Sequence, residues 1–133
     1  MPEPTEFPRT VVDAANVVGS RPNGWWRDRP GAARDLVAGL VAAVAVGALD
    51  PDVVVVLEGR ARPGAEVGPA GPGVAVAHAP HSGDDEIVAQ VASATPVPVR
   101  VVTADRALAD RVRALAATVV GPTWLLDRLP AQL

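Results

Sequence analysis

The run Val53-Val54-Val55-Val56-Leu57 carries no polar residue on either of the two faces that a strand presents. β-branched side chains favour extended backbone. A strand that is apolar on both sides must be covered on both sides, as central strands of parallel sheets are. Further runs of strand length follow the same logic: Val74 to His78, Val99 to Thr103 and the short Thr118 to Val120. The stretch TVVDAANVV, Thr10 to Val18, reads as a buried strand running into a loop. Between these runs lie segments of helical period. One begins near Asp28 as N-cap, tolerates Pro30 in its first turn, and repeats Ala33, Leu36, Val37, Leu40, Val41 and Val44 at helical spacing. Others span Gly83 to Ser93 and Ala104 to Ala117, the latter with Leu108, Val112 and Leu115 on one face. The final segment PTWLLDRL forms a last helix, with Trp124, Leu125, Leu126 and Leu129 as core. Strands that alternate with helices predict a three-layer α/β/α fold around a mostly parallel sheet of about five strands. Residues 1–9, with Pro2, Pro4 and Pro8, read as a flexible lead-in, and residues 10–133 as a single domain of ordinary size. Residues 59–73, GRARPGAEVGPAGPG, read as an exposed loop.

Composition removes several chemistries. The chain has no cysteine, which excludes disulfides, thiolate catalysis and cysteine–zinc sites. Every basic side chain is arginine, so a Walker-type phosphate lysine and a Schiff-base lysine are both excluded. A net charge of −3 argues against a broad electrostatic coat of nucleic acid, so any such contact must rest on a local arginine patch. The start MPEPTEFPRT has neither the basic nor the apolar region of a signal peptide, and no apolar stretch reaches the roughly 20 residues of a membrane span. The expected location is the cytoplasm, with no membrane partner.

Open parallel α/β sheets bind ligands beyond the carboxyl ends of their strands. Three expected strand ends deliver aspartate there: Asp13 in VVDAANV, Asp84 and Asp85 in HSGDDE, and Asp105 in VVTAD. Carboxylates that converge repel one another unless a cation neutralises them. Oxygen ligands without cysteine suit a hard ion, Mg²⁺ or Mn²⁺, which can activate water and stabilise the charge of a phosphoryl displacement. Each acid also has a structural reading. Ser82-x-x-Asp85 matches a capping box, and Asp84 and Asp105 fall in first helical turns, where the helix dipole favours acids. Asp13 has no such explanation, because aspartate is disfavoured in strands and rarely buried unpaired. His78 and His81 with Asp84 form His-x-x-His-x-x-Asp, but the three straddle a strand end, a loop and a helix start, so zinc is the weaker reading.

VVDAANVVG resembles the first-strand motif of NYN domains, in which asparagine follows aspartate by three residues. SGDDEIV resembles their second acidic motif, selecting Asp84 with Ile87 in register, and VVTADRAL resembles the third, a strand that ends in Thr-x-Asp. The three occur in order over about residues 10 to 110 and resemble small bacterial NYN proteins related to a ribosome-associated endoribonuclease family. The resemblance implies a PIN-like sheet, divalent metal, and cleavage of RNA. It also implies that Asp13, Asp84 and Asp105 are metal ligands, that Asn16 orients a ligand or bonds the scissile phosphate, and that Thr103 bonds phosphate. Asn16 as a loop former and Thr103 as a helix cap are the structural alternatives. Ala14–Ala15 stands where Gly-Tyr is common in the family, and the chain lacks the fourth acid of many PIN-like sites, with Glu58 and Asp85 as the candidate substitutes.

The segment RPNGWWRDR combines Arg21, Arg27 and Arg29 with Trp25 and Trp26. Single-stranded RNA is gripped by aromatic stacking together with arginine, so this segment is a candidate substrate lip, and a tryptophan acting as hydrophobic staple is the alternative. Arg60 and Arg62 extend the lip or are simply solvated. The leading function is therefore metal-dependent hydrolysis of RNA. Nucleotide phosphohydrolysis on the same acids, or a non-catalytic RNA- or protein-binding module with a degenerate site, are the competing readings. The residues imply no preference for DNA and leave a homo-oligomer open.

Overall fold

A computed structural model describes residues 8–130; the first seven residues of the expected lead-in and the last three of the chain lie outside the described residues. The strands are β1 (Arg9–Asp13), β2 (Val53–Leu57), β3 (Gly68–Gly71), β4 (Val74–His78), β5 (Val99–Val102) and β6 (Thr118–Val120). The helices are α1 (Ala14–Gly19), α2 (Arg29–Ala45), α3 (Gly83–Ala94), α4 (Arg106–Arg113) and α5 (Pro122–Leu126). One sheet runs in the order β3-β4-β2-β1-β5-β6. Every pairing is parallel except that of β3 with β4. This is the expected three-layer α/β/α architecture with one more strand than anticipated.

The valines of β2 separate two cores. Val53, Val55 and Leu57 pack with Leu36, Leu40 and Leu125 on the face covered by α1, α2 and α5. Val56 packs with Val11, Ile87, Val101 and Leu108 on the face covered by α3 and α4. The all-apolar run is thus the consequence of two covered faces. From β1 the chain proceeds to β2 and β4 on one side, then crosses back through α3 to β5 and β6 on the other. The strand order therefore switches between β1 and β5, where such sheets open a crevice at their carboxyl ends.

Four local expectations are corrected. The buried strand of Thr10 to Val18, expected to run into a loop, ends at Asp13 and runs instead into α1, which the Asp13 carboxylate caps by accepting from the Asn16 N–H; Ala14 and Ala15 are strong helix formers and begin that helix. The loop expected over residues 59–73 is instead a 3-10 turn, Gly59–Gly64, followed by the edge strand β3. A Cβ at Gly64 would run into the Pro30 carbonyl, and one at Gly71 into Val41, so glycine here serves close packing on α2. Helix α4 ends at Arg113, four residues before the expected stop, and Leu115 is exposed beyond it. Ala116 takes a left-handed φ of 68° in the turn to β6. The helix over PTWLLDRL is also shorter than expected, ending at Leu126. Among the described residues no helix is long and apolar enough to cross a membrane.

Candidate active site at the carboxyl edge of the sheet

Asp13 ends β1 beside the switch point and is buried, at 7% exposure. Its Oδ2 accepts from the Thr103 hydroxyl at 2.8 Å and its Oδ1 from the Asn16 N–H at 3.3 Å. Those two bonds favour the charged form, yet its pKa is pushed up to about 6. Burial is the main cause, and the negative charges of Asp84 and Glu58 add to it. Asp84, in the first turn of α3, is also raised, first by burial, then by Asp105, against the opposing pull of Arg111. Asp105 follows β5 and caps α4, accepting from the Leu108 N–H at 3.0 Å.

The site therefore brings Asp13 within electrostatic reach of Asp84 and Glu58, and Asp84 within reach of Asp105. The convergence is looser than the sequence suggests, because among the described residues no three acids or histidines surround one point. The donor set is carboxylate throughout, which fits a hard ion and no soft one.

The two candidates for a fourth acid separate clearly. Asp85 is exposed, and its carboxylate is paired with Arg111 at 3.0 Å. Its own N–H is held by the Ser82 hydroxyl at 3.3 Å, the capping half of the capping-box reading. The Asp85 carboxylate is thus engaged by Arg111 at the surface. Glu58, at the end of β2, is half-buried, and its carboxylate lies directly against Gly83 at the start of α3. Any side chain at position 83 would collide with it, so Gly83 leaves the space that Glu58 occupies, close to a helix N-terminus that favours an anion. Sequence reasoning underweighted Glu58. The available signal was its place at a strand end, the same place that singled out Asp13.

Thr103 departs from its expected role. Its single hydroxyl proton goes to Asp13, its oxygen accepts from the Asp105 N–H at 3.1 Å, and it is 2% exposed. It cannot bond phosphate from that position; it holds Asp13 and ties it to the backbone of Asp105. Nor does it cap α4, which is done by Asp105. Asn16 crosslinks the same region, its Oδ1 accepting from the Ala104 N–H at 2.8 Å. That bond fixes the amide orientation, and among the described residues the Asn16 NH₂ has no acceptor, leaving its donors for a ligand. His78 engages the Ala65 carbonyl through Nε2 at 2.7 Å and anchors the segment before β3.

The arginine–tryptophan segment lies beside this edge. Asp28 caps α2 as expected, accepting from the Gly31 N–H at 2.9 Å. A 3-10 turn, Trp25–Arg27, precedes it. The two indoles meet edge to face with centroids 6.1 Å apart. Arg29 lies over Trp25 at 5.3 Å and Arg27 over Trp26 at 5.8 Å. Trp26 is 55% exposed, whereas Trp25 is half-buried and walls a cleft of about 100 Å³ that also includes Ala14, Ala15, Arg29 and Glu58. Arg21 lines a different recess, with Asn23 and Asp35 between α1 and α2. Arg60 and Arg62 border a more open hollow with His78. Trp124, expected as core, is only partly buried; it packs on the α2-side core with Arg128 at 3.9 Å and Arg100 at 4.5 Å from its ring.

Two solved structures share this arrangement of elements. Both are of Rae1 (YacP) from Bacillus subtilis. One is 19% identical and aligns over 89% of this chain and 71% of that one, with a TM-score of 0.69. The other, a tryptophan-to-leucine mutant, is 15% identical over 91% of this chain and 74% of that one, also at 0.69. The chain has the fold of Rae1. No protein-family model matches the sequence, and no curated protein matches it either.

Proposed function

We propose that this chain is a metal-dependent ribonuclease that hydrolyses phosphodiester bonds of single-stranded RNA at the carboxyl edge of its sheet. The observation that carries the reading is Asp13, a buried carboxylate at the switch point whose pKa is raised to about 6 by burial and by neighbouring acids. The three NYN-like motifs supply the residues at this edge, and the likeness to Rae1 in fold supports the same family reading. Asp13, Asp84 and Asp105 would hold Mg²⁺ or Mn²⁺, with Glu58 as the additional acid. Bound there, the ion supplies a more acidic water and neutralises charge on the phosphoryl group. Thr103 fixes the Asp13 carboxylate from behind, as outer-shell partners of metal ligands do. The free NH₂ of Asn16 donates to a phosphate oxygen. Arg27 and Arg29 give the otherwise acidic protein its local positive patch for the RNA backbone.

The test is turnover of a short single-stranded RNA and of a mononucleotide, each with Mn²⁺ and with EDTA. Cleavage of the RNA in Mn²⁺ alone is the expected result, and hydrolysis confined to the mononucleotide would replace the reading with a phosphohydrolase. Thr103→Val, which keeps shape but removes the hydroxyl, should lower RNA turnover about 10- to 100-fold. Unchanged turnover in folded Thr103→Val would remove Asp13 from the chemistry.

A further inference from the structure

The cleft walled by Trp25 borders the acidic edge through Glu58, and its other lining residues lie outside the proposed metal set. We infer that it is a single-base pocket, which takes one unpaired nucleobase of the RNA next to the bond being cut. This rests on the ribonuclease reading and adds to it a specific contact and a position. The location carries the first part of the argument. Ala14 lines the cleft and is the residue directly after Asp13, while Glu58, which also lines it, acts electrostatically on Asp13 itself. A base in the cleft therefore places its own nucleotide beside the carboxylates.

The lining supplies the chemistry. Unstacked bases are recognised by aromatic faces and by the planes of arginine guanidinium groups, and Trp25 and Arg29 present both within one wall. Ala14, Ala15 and Ala61 contribute only methyl groups to the remainder, which leaves room for a flat ring. Among the described residues the Trp25 indole N–H has no acceptor, and it is not sealed from solvent, so it remains an unused donor. A tryptophan serving only as a staple between helices would be covered, whereas Trp25 is half-buried with its ring on the cleft.

Size decides between occupants. About 100 Å³ is well below the roughly 300–1,000 Å³ of pockets that enclose a whole small ligand. An open cleft of this size takes in part of one ring system and leaves the sugar and phosphates outside, as a strand threading past requires. A free nucleotide held for hydrolysis would need the larger volume. Trp26, at 55% exposure on the outer side of the turn, has no comparable recess.

The experiment is an abasic scan. A fluorescently labelled short single-stranded RNA is made with a single abasic position moved along it, and the affinity of each version for the wild-type protein is measured in EDTA, while cleavage sites are mapped separately in Mn²⁺. One position should show a loss of about 5- to 150-fold and the others little. Ala15→Leu, which fills the cleft from an exposed helix position, and Trp25→Ala should each abolish that position's penalty, and Trp26→Ala should retain it. Equal affinity for every abasic version, or no binding by the wild type, overturns the pocket. A penalty that survives both Ala15→Leu and Trp25→Ala overturns it as well. The two readings separate cleanly: cleavage without a position-specific penalty removes the pocket alone, and a penalty without cleavage supports the pocket while removing the hydrolase.

Discussion

Asp13→Asn should be more stable than the wild type at pH 8, by about 1–3 kcal/mol, and should lose that advantage at pH 4. The sign follows from the raised pKa. The folded state holds a proton on Asp13 up to about pH 6 that the unfolded chain releases near the ordinary 3.8. The stabilisation from that proton is complete below 3.8 and disappears as pH rises through 6, leaving a buried charge at pH 8. Asparagine carries no charge to bury, still accepts from the Asn16 N–H, and can donate to the Thr103 oxygen. It also relieves Asp84 and Glu58 of a neighbouring negative charge. Urea unfolding of both proteins at the two pH values measures the difference directly, with the titration of the other groups largely cancelling. An equal offset at pH 4 and pH 8 would mean that Asp13 is not the strained carboxylate.

Substrate grip should separate from chemistry. Replacing Trp25 and Trp26 together by alanine should weaken binding of single-stranded RNA by roughly 1–3 kcal/mol for each base that stacks. Arg27→Ala and Arg29→Ala should flatten the salt dependence, each lost phosphate contact removing about 0.7 from the slope of log affinity against log salt. Asp84→Asn should leave metal-free affinity nearly intact. Arg29 and Arg27 also sit on the two indoles, so alanine there loosens the rings and adds to the loss. Binding should be read well below the melting temperature of each variant. Folded Trp25→Ala/Trp26→Ala protein that binds RNA as tightly as the wild type would mean that the segment only packs.

The parts of the fold that could be read from the chain are those in which burial leaves a pattern. Val53 to Leu57 is apolar throughout because both of its faces are covered, and Leu36, Val37, Leu40 and Ala43 repeat because one face of α2 is. Helix α1 was hidden because its valines and asparagine are ordinary in strands and loops, and the deciding element is the Asp13 cap, which is read only in three dimensions. Strand β3 is made of Gly68, Pro69, Ala70 and Gly71, so it leaves almost no side-chain signal; it exists because β4 offers an edge.

The site divides in the same way. Asp13 stood out because a carboxylate in an apolar run has no local explanation. Asp84 and Asp85 are adjacent and chemically identical, and what separates them is Arg111, which lies on another helix and engages Asp85. Thr103 was misassigned to phosphate because its true partner, Asp13, lies 90 residues away. Long-range hydrogen bonds of this kind leave no trace in spacing.

Binding of Mn²⁺ tests the central claim most directly, measured by the rise in thermal stability and by the loss of the free-ion signal in electron paramagnetic resonance. The wild type should bind the ion saturably and gain roughly 2.7 kcal/mol at a hundredfold excess over its dissociation constant. Asp13→Asn and Asp105→Asn should each lose most of that gain, and Asp85→Asn, whose carboxylate belongs to Arg111, should keep it. An undiminished gain in Asp13→Asn, or no binding by the wild type, would contradict a metal site at the edge where the strand order switches.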